Sequence, residues 1–342
     1  MTSGSRPEYL CVDAFMQDMV GARALQSALE LGLIDELSRN QPLDLNAMLR
    51  QSRLDPPALN LLLGMLRANA VIEQRDAGWQ LSAPFGMALR YRDILQAKLE
   101  FAALVAGDFV EMFTTLLAQP GRFFERSRIF DLFSYDRCME STPANLALTR
   151  RWMRFTTALT RYEAQACLDR HDFSGCRRLL DVGGNSGEFA LRICRAHPRV
   201  HATVLDLPLV CDIGREHLRG EAEAARIEFV ATGTAPTAFP AGFDTLCFKS
   251  MLHDWPDDEM HQFLERARQA LDDGGRLIIF ERGMLDVGIG QIPYSLIPIM
   301  LFFRSYRSPQ DYARHLERIG FRDIRIQPVE LDVPFMLITA VK

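Results

Sequence analysis

Apolar side chains recur at three- and four-residue steps at Phe15, Met19, Ala22, Leu25, Leu29 and Leu33. That spacing places them on one buried helical face. A second short helix fits residues 45–49. Asp55 is placed to cap a third, with Pro56 or Pro57 in its first turn and Leu59, Leu62, Leu63 and Leu66 as its apolar face. Val71-Ile72-Glu73-Gln74, a turn at Asp76-Ala77-Gly78 and Trp79-Gln80-Leu81 then read as a small hairpin. Helices followed by a hairpin give the order of a winged helix, a topology that often binds DNA. Here the helix that would enter the groove, residues 56–68, carries Arg67 as its single positive charge, and phosphate docking needs several. The module therefore reads as a dimerisation or lid element. From Phe101 to about Leu168 the pattern stays helical and rich in Phe, Met and Leu.

Beyond residue 170 the pattern changes. β-type runs at 178–182, 202–205, 227–230, 245–248 and 277–280 alternate with helical stretches that include 187–197 and 258–271. Such alternation predicts an α/β fold, a mostly parallel sheet with helices on both faces. Residues 324–327 and 335–341 read as two strands joined by a short loop, an antiparallel C-terminal edge. The expected division is a helical domain at 1–170 and a sheet domain at 171–342.

The 342 residues are enough for two domains at roughly 150 each, and a 48% hydrophobic, 24% charged composition argues against long disorder. A net charge of -5 sets nucleic acid aside as the main partner. Seven cysteines without a CxxC pair fit reduced thiols in a cytoplasmic protein. The N-terminus lacks an apolar leader core, and the apolar stretch 289–303 is too short and interrupted to span a bilayer, so no membrane partner is expected. The 22 Phe outnumber 7 Tyr and 3 Trp, and so many rings must fill a core, an apolar pocket or a subunit interface.

The strongest local signal is Asp181-Val182-Gly183-Gly184-Asn185-Ser186-Gly187, which follows an apolar strand and opens a helix. Glycines there allow a ligand close to the backbone, and the helix N-terminus offers free N–H groups. Asp206 ends the next strand, where an acid can accept hydrogen bonds from both ribose hydroxyls. A dinucleotide turn would read GxGxxG and bind pyrophosphate, which Asp181 would repel. A carboxylate at Asp181 suits a sulfonium and an ammonium instead, favouring S-adenosylmethionine over NAD.

Together with Asp206-Leu207-Pro208 and Lys249-Ser250-Met251-Leu252-His253-Asp254-Trp255, the turn resembles the S-adenosylmethionine-dependent small-molecule O-methyltransferases, among them plant caffeic acid, hydroxyindole and bacterial natural-product enzymes. The resemblance covers nearly the whole chain. It implies a Rossmann-like class I methyltransferase sheet, with the winged-helix-like N-terminal domain building a homodimer and roofing the pocket. It places Asp181, Gly183, Gly184, Gly187, Asp206, Leu207, Lys249 and Trp255 around the cofactor. His253 matches the catalytic base and Glu281 the acid that steadies it. Phe155, Met251, Met300, Phe302, Phe303 and Tyr306 fall where an aromatic acceptor would lie. The chemistry needs no metal: a hydroxyl oxygen attacks the methyl in line while a neutral imidazole takes its proton.

The chain departs from that pattern in three places. Asn185 replaces a third glycine, and Asn tolerates left-handed geometry. The segment Ala231-Thr232-Gly233-Thr234-Ala235-Pro236 lacks the acid that relatives direct at the adenine amino group. Tyr306-Arg307-Ser308 stands where relatives carry a second supporting Glu before an Arg-Thr pair. Some members of the family keep the cofactor yet catalyse hydroxylation, decarboxylation or pericyclic reactions, and these departures keep that alternative open. An NAD-dependent dehydrogenase and a DNA-binding regulator are the competing classes outside the family.

Overall fold

The computed structural model describes residues 6–76, 78–234, 236–285, 288 and 292–342. Readings that fall on Met1–Ser5, Ala77, Ala235, Ile289 and Gln291 lie outside these residues. The chain packs as two units, Met1–Arg128 with Val287–Leu301, and Ile129–Asp286 with Phe302–Lys342.

In the first unit, the helical face expected across residues 15–33 is divided among three elements. A 3₁₀ helix spans Glu8–Phe15, and a helix Met19–Glu30 starts where Asp18 accepts the Gly21 N–H at 2.8 Å. Gly32, at φ +73, then turns the chain into a new helix, Leu33–Asn40. The helix Leu45–Ser52 runs past its expected end. Pro56–Ala68 begins as expected, with the Asp55 carboxylate accepting from Ala58 N at 2.8 Å. Strands β1 (Ile72–Arg75) and β2 (Gly78–Leu81) pair antiparallel as the expected hairpin. Leu25, Ile34, Leu59, Leu63 and Leu66 fill the core between these helices.

The helical run Ala83–Ala118 is long and apolar enough, by length and composition, to cross a membrane. This run lies outside 289–303, the apolar stretch considered from sequence. Core helices pass the same length test, and Lys98 on this helix pairs with Asp13 of its own unit at 2.8 Å with both side chains buried.

The second unit is built on a seven-stranded sheet: β3 (Arg178–Val182), β4 (His201–Asp206), β5 (Ile227–Ala231), β6 (Phe243–Lys249), β7 (Leu271–Arg282), β8 (Arg322–Glu330) and β9 (Pro334–Val341). The spatial order is β5-β4-β3-β6-β7-β9-β8. The first five strands are parallel, while β9 and β8 form the antiparallel edge. Every expected strand is present. Strand order reverses between β4–β3 and β6, where open sheets hold ligands beyond their carboxyl ends.

Packing divides the chain elsewhere than the change of pattern near residue 170. The helix Pro143–Leu168 belongs with the sheet because Thr157 Oγ1 lies 2.7 Å from Ser186 Oγ, and Thr156 Oγ1 donates to Asn185 Oδ1 at 3.0 Å. The segment after β7 returns to the first unit, where Tyr294 N donates to Gln17 O at 3.1 Å.

Candidate active site

The sheet register aligns the candidate residues. Val182 stands opposite Leu205 and Phe248, and Lys249 opposite Phe280. Gly183, Asp206, Lys249 and Glu281 therefore sit along one edge, at the carboxyl ends of four neighbouring parallel strands.

The glycine turn is left-handed at Gly183 (φ 67), Asn185 (φ 54) and Gly187 (φ 75), which confirms that Asn185 adopts the geometry its side chain tolerates. A Cβ at Gly183 would stand 2.5 Å from Met251 Cγ, and one at Gly184 would stand 2.6 Å from Asp181 Oδ2. The backbone thus lies directly against the next strand's loop and against the buried acid. Asp206 shapes the turn from β4. Its Oδ2 accepts the Asn185 N–H and its Oδ1 the Leu207 N–H, each at 2.7 Å. Each oxygen keeps a second lone pair. Leu207 is buried at the start of the helix Pro208–His217, an element the sequence reading had not marked.

Asp181 is fully buried, and neither carboxyl oxygen has a hydrogen-bond partner. The structure thus encloses Asp181 beneath Gly184 instead of presenting it to a ligand, so its action on a bound cation is through its field. Burial, then the charge of Asp206, push it up to about 7. Burial also lifts Asp206, to about 6, against the two backbone N–H groups. Asp206 raises Asp181, while the charge of Lys249 opposes that rise. Ser250 Oγ, just after β6, is likewise buried without a partner.

Lys249, at the end of β6, is tied to the helix Pro143–Leu168. Its ammonium is buried against Glu163 and donates to Thr160 Oγ1 at 2.9 Å. Burial lowers its pKa. Arg282 meets the other oxygen of Glu163 at 2.6 Å and lies over the Phe335 ring at 4.8 Å. One carboxylate from the helix Pro143–Leu168 thereby ties down the ends of β6 and β7.

His253 and Glu281 come together as expected. Nδ1 lies 2.7 Å from Glu281 Oε1, and Glu281 also accepts Arg282 N at 2.8 Å and Met251 N at 3.1 Å. These donors fix a wholly buried carboxylate. Burial disfavours the imidazolium, but Glu281 and Asp254 outweigh it, and the His253 pKa is raised. Burial works against the Glu281 anion too, yet His253 and the backbone donors hold its pKa low. Tyr306 lies beside the imidazole, ring centroids 5.4 Å apart, where relatives were expected to carry a second Glu. Arg307 instead braces the His253 loop by donating to Leu252 O at 3.0 Å and Trp255 O at 2.5 Å.

Other candidates separate. Met251 packs under Gly183. Trp255 stacks on Tyr135 at 6.0 Å and meets Phe263 at 5.1 Å. Phe302 lies 5.5 Å from Phe133 and 6.1 Å from Phe130, Phe303 lies under Arg304, and Phe155 is buried in its helix. Met300 belongs to the first unit. Asp257 and Asp258 open the helix Asp257–Ala270, as its dipole favours, and Asp257 also pairs with Arg307. Sequence reasoning missed Tyr135, Thr156, Thr157 and Glu163, whose partners lie 29 to 119 residues away, beyond any local motif.

An S-adenosylmethionine molecule fits these residues: an unpaired buried acid, a ribose-ready carboxylate and a glycine cradle occupy one edge. Comparison with known proteins agrees. The O-methyltransferase domain family matches residues 119–322. The chain is 32% identical to the O-methyltransferase SfmM3 of Streptomyces lavendulae over 317 residues, 89% of this chain and 92% of that protein. It is 26% identical to the N,N-dimethyltransferase OxyT of Streptomyces rimosus, over 94% of this chain and 93% of that one. The solved structure of the mitomycin 7-O-methyltransferase MmcR superposes with a TM-score of 0.72 at 23% identity, covering 94% of each chain, a likeness of fold.

Proposed function

The chain belongs to the O-methyltransferase family, and from that premise we propose that it methylates a hydroxyl, phenolic in character, on a small aromatic natural product. The carrying observation is His253 held on the buried Glu281 carboxylate at the strand ends beside the glycine turn. When bound, S-adenosylmethionine supplies a methyl group on a positively charged sulfur, so the protein's task falls on the acceptor. A phenol with a pKa near ~10 is a poor nucleophile at neutral pH until its proton leaves. His253 Nε2 takes that proton, while Glu281 on Nδ1 fixes the tautomer and stabilises the imidazolium. Asp206 and the glycine turn hold the cofactor's ribose and amino-acid ends, and the Asp181–Asp206 pair favours its positive charge. Met251, Phe302, Phe303 and Tyr306 line the acceptor side, joined by Phe155.

SfmM3 is named for O-methylation and OxyT for N-methylation. The base–acid pair favours oxygen, because a neutral amine is a good nucleophile before it loses a proton, whereas a phenol becomes one only as its proton leaves. We propose further that two copies associate through the first unit, which size measurement tests. The functional test is incubation with methyl-labelled S-adenosylmethionine and a panel of hydroxylated and aminated aromatics. Label on oxygen supports the reading, while label on nitrogen alone, or consumption of acceptor without label, overturns it.

A further inference from the structure

His253 has carboxylates on both sides. Glu281 holds Nδ1 at 2.7 Å, and Asp254 Oδ1 lies 3.4 Å from Nε2. The second distance is too long for a charge-assisted hydrogen bond, which closes to about 2.7–2.9 Å. Once Nε2 takes a proton, the imidazolium would draw the neighbouring Asp254 carboxylate in unless something restrained it. The restraint is visible on the other oxygen: the Tyr135 hydroxyl donates to Asp254 Oδ2 at 2.6 Å. Tyr135 is itself held in place, stacked on Trp255 at 6.0 Å and packed against Trp152 at 5.5 Å.

We infer that Tyr135 is a positioning residue that holds the Asp254 carboxylate off Nε2 of His253, keeping that nitrogen open for the acceptor hydroxyl. The inference rests on His253 being the base. Were Asp254 to close on Nε2, it would occupy the direction from which the acceptor's proton arrives and would stabilise the protonated ring. The charged and titratable groups facing this triad are Glu281 and Arg282 from β7, Tyr306 from the loop before the last helix, and Asp206 and Cys138 toward Tyr135. Tyr135 reaches Asp254 from outside its own segment, its hydroxyl donating to Oδ2 at 2.6 Å. No local motif surrounds Tyr135, and its partner stands 119 residues away.

The experiment is the pH dependence of kcat/KM for wild type, Tyr135→Phe, Asp254→Asn and the double variant, with melting temperatures for each and His253→Ala as a control on the premise. In Tyr135→Phe the freed Asp254 stabilises the imidazolium. The acidic limb then moves up by about one pH unit, the rate falls about tenfold at pH values well below both limbs, and most of that loss is recovered by pH 9, where the neutral ring no longer attracts Asp254. Asp254→Asn moves the limb down, and the double variant follows Asp254→Asn, because Tyr135 acts only through Asp254. A Tyr135→Phe limb in the wild-type position, or a loss equal at every pH, overturns the inference while leaving His253 as base. A wild-type limb that survives in His253→Ala overturns the premise itself.

Discussion

His253 Nδ1 and Glu281 Oε1 meet at 2.7 Å at the carboxyl ends of adjacent strands β6 and β7, 28 residues apart in sequence. This contact assigns the ring's two nitrogens: Nδ1 to the acid and Nε2 to the acceptor. Replacing His253 with Ala is expected to lower kcat by about 10²–10⁴. S-adenosylhomocysteine affinity stays within about threefold, because Asp206 and the glycine turn stand on other strands and do not touch the imidazole. Single-turnover rates and calorimetry read the two effects separately. A rate close to wild type would remove His253 from proton transfer.

Glu281→Gln tests the sign of the electrostatics. The Glu281 charge raises the His253 pKa above its ordinary value, so wild-type activity falls as pH drops through a pKa above about 6.5. Neutralising Glu281 removes that support, and the acidic limb moves to lower pH. Plateau kcat falls at the same time, since the imidazolium formed during transfer loses its partner. The new amide also turns its N–H₂ group toward one of the two backbone N–H donors, Met251 on one oxygen or Arg282 on the other, costing about 1–3 kcal/mol of stability. A limb that moves upward would show that Glu281 does not face the ring as a carboxylate.

Asp181 and Asp206 predict a pH-dependent preference for charge. With pKa values of about 7 and about 6, both are largely neutral at pH 5.5 and ionised at pH 8. S-adenosylmethionine carries a sulfonium charge that S-adenosylhomocysteine lacks, so its affinity gains more as the acids ionise. An attraction of about 1 kcal/mol at partly screened distances gives a change on the order of fivefold. The ratio of the two dissociation constants, measured by calorimetry from pH 5.5 to 8, is expected to move toward the sulfonium ligand by that factor. A flat ratio would mean that the two acids do not sense the ligand's charge.

The sheet was readable because its strands are short apolar runs between turn residues, and each functional strand ends in a residue with a chemical reason to be there: Asp206 after β4, His253 beyond β6, Glu281 in β7. The glycine turn was readable for the same reason, since its φ values leave few residue types. The first long helix was not, because Gly32 interrupts a periodicity that the spacing of Leu29 and Leu33 continues without a break. Nor was the division of the chain. Whether the helix Pro143–Leu168 sides with the sheet depends on Thr156 and Thr157 meeting Asn185 and Ser186, contacts without periodicity. The role of Lys249 was legible as a position but not as a contact: its place at the end of β6 is local, whereas Glu163 comes from a helix 86 residues earlier.

That Glu163 contact carries the last prediction. One buried carboxylate neutralises two buried cations, Lys249 and Arg282, and their side chains are at most 8% exposed. Glu163→Ala leaves the cations facing each other with no anion between them, and removing one partner of a buried ionic group costs about 3–5 kcal/mol. Lys249 can escape part of this by losing its proton, because burial already lowers its pKa, while Arg282 cannot. The deficit measured by urea unfolding is therefore expected to shrink as pH rises from 7 to 9.5. Adding Lys249→Met to Glu163→Ala is expected to recover about half of the loss at pH 7, since one unpaired cation then remains and it keeps its place over the Phe335 ring. A Glu163→Ala protein as stable as wild type at pH 7 would show that water reaches both cations, and that the clamp on β6 and β7 is not built from this ion triad.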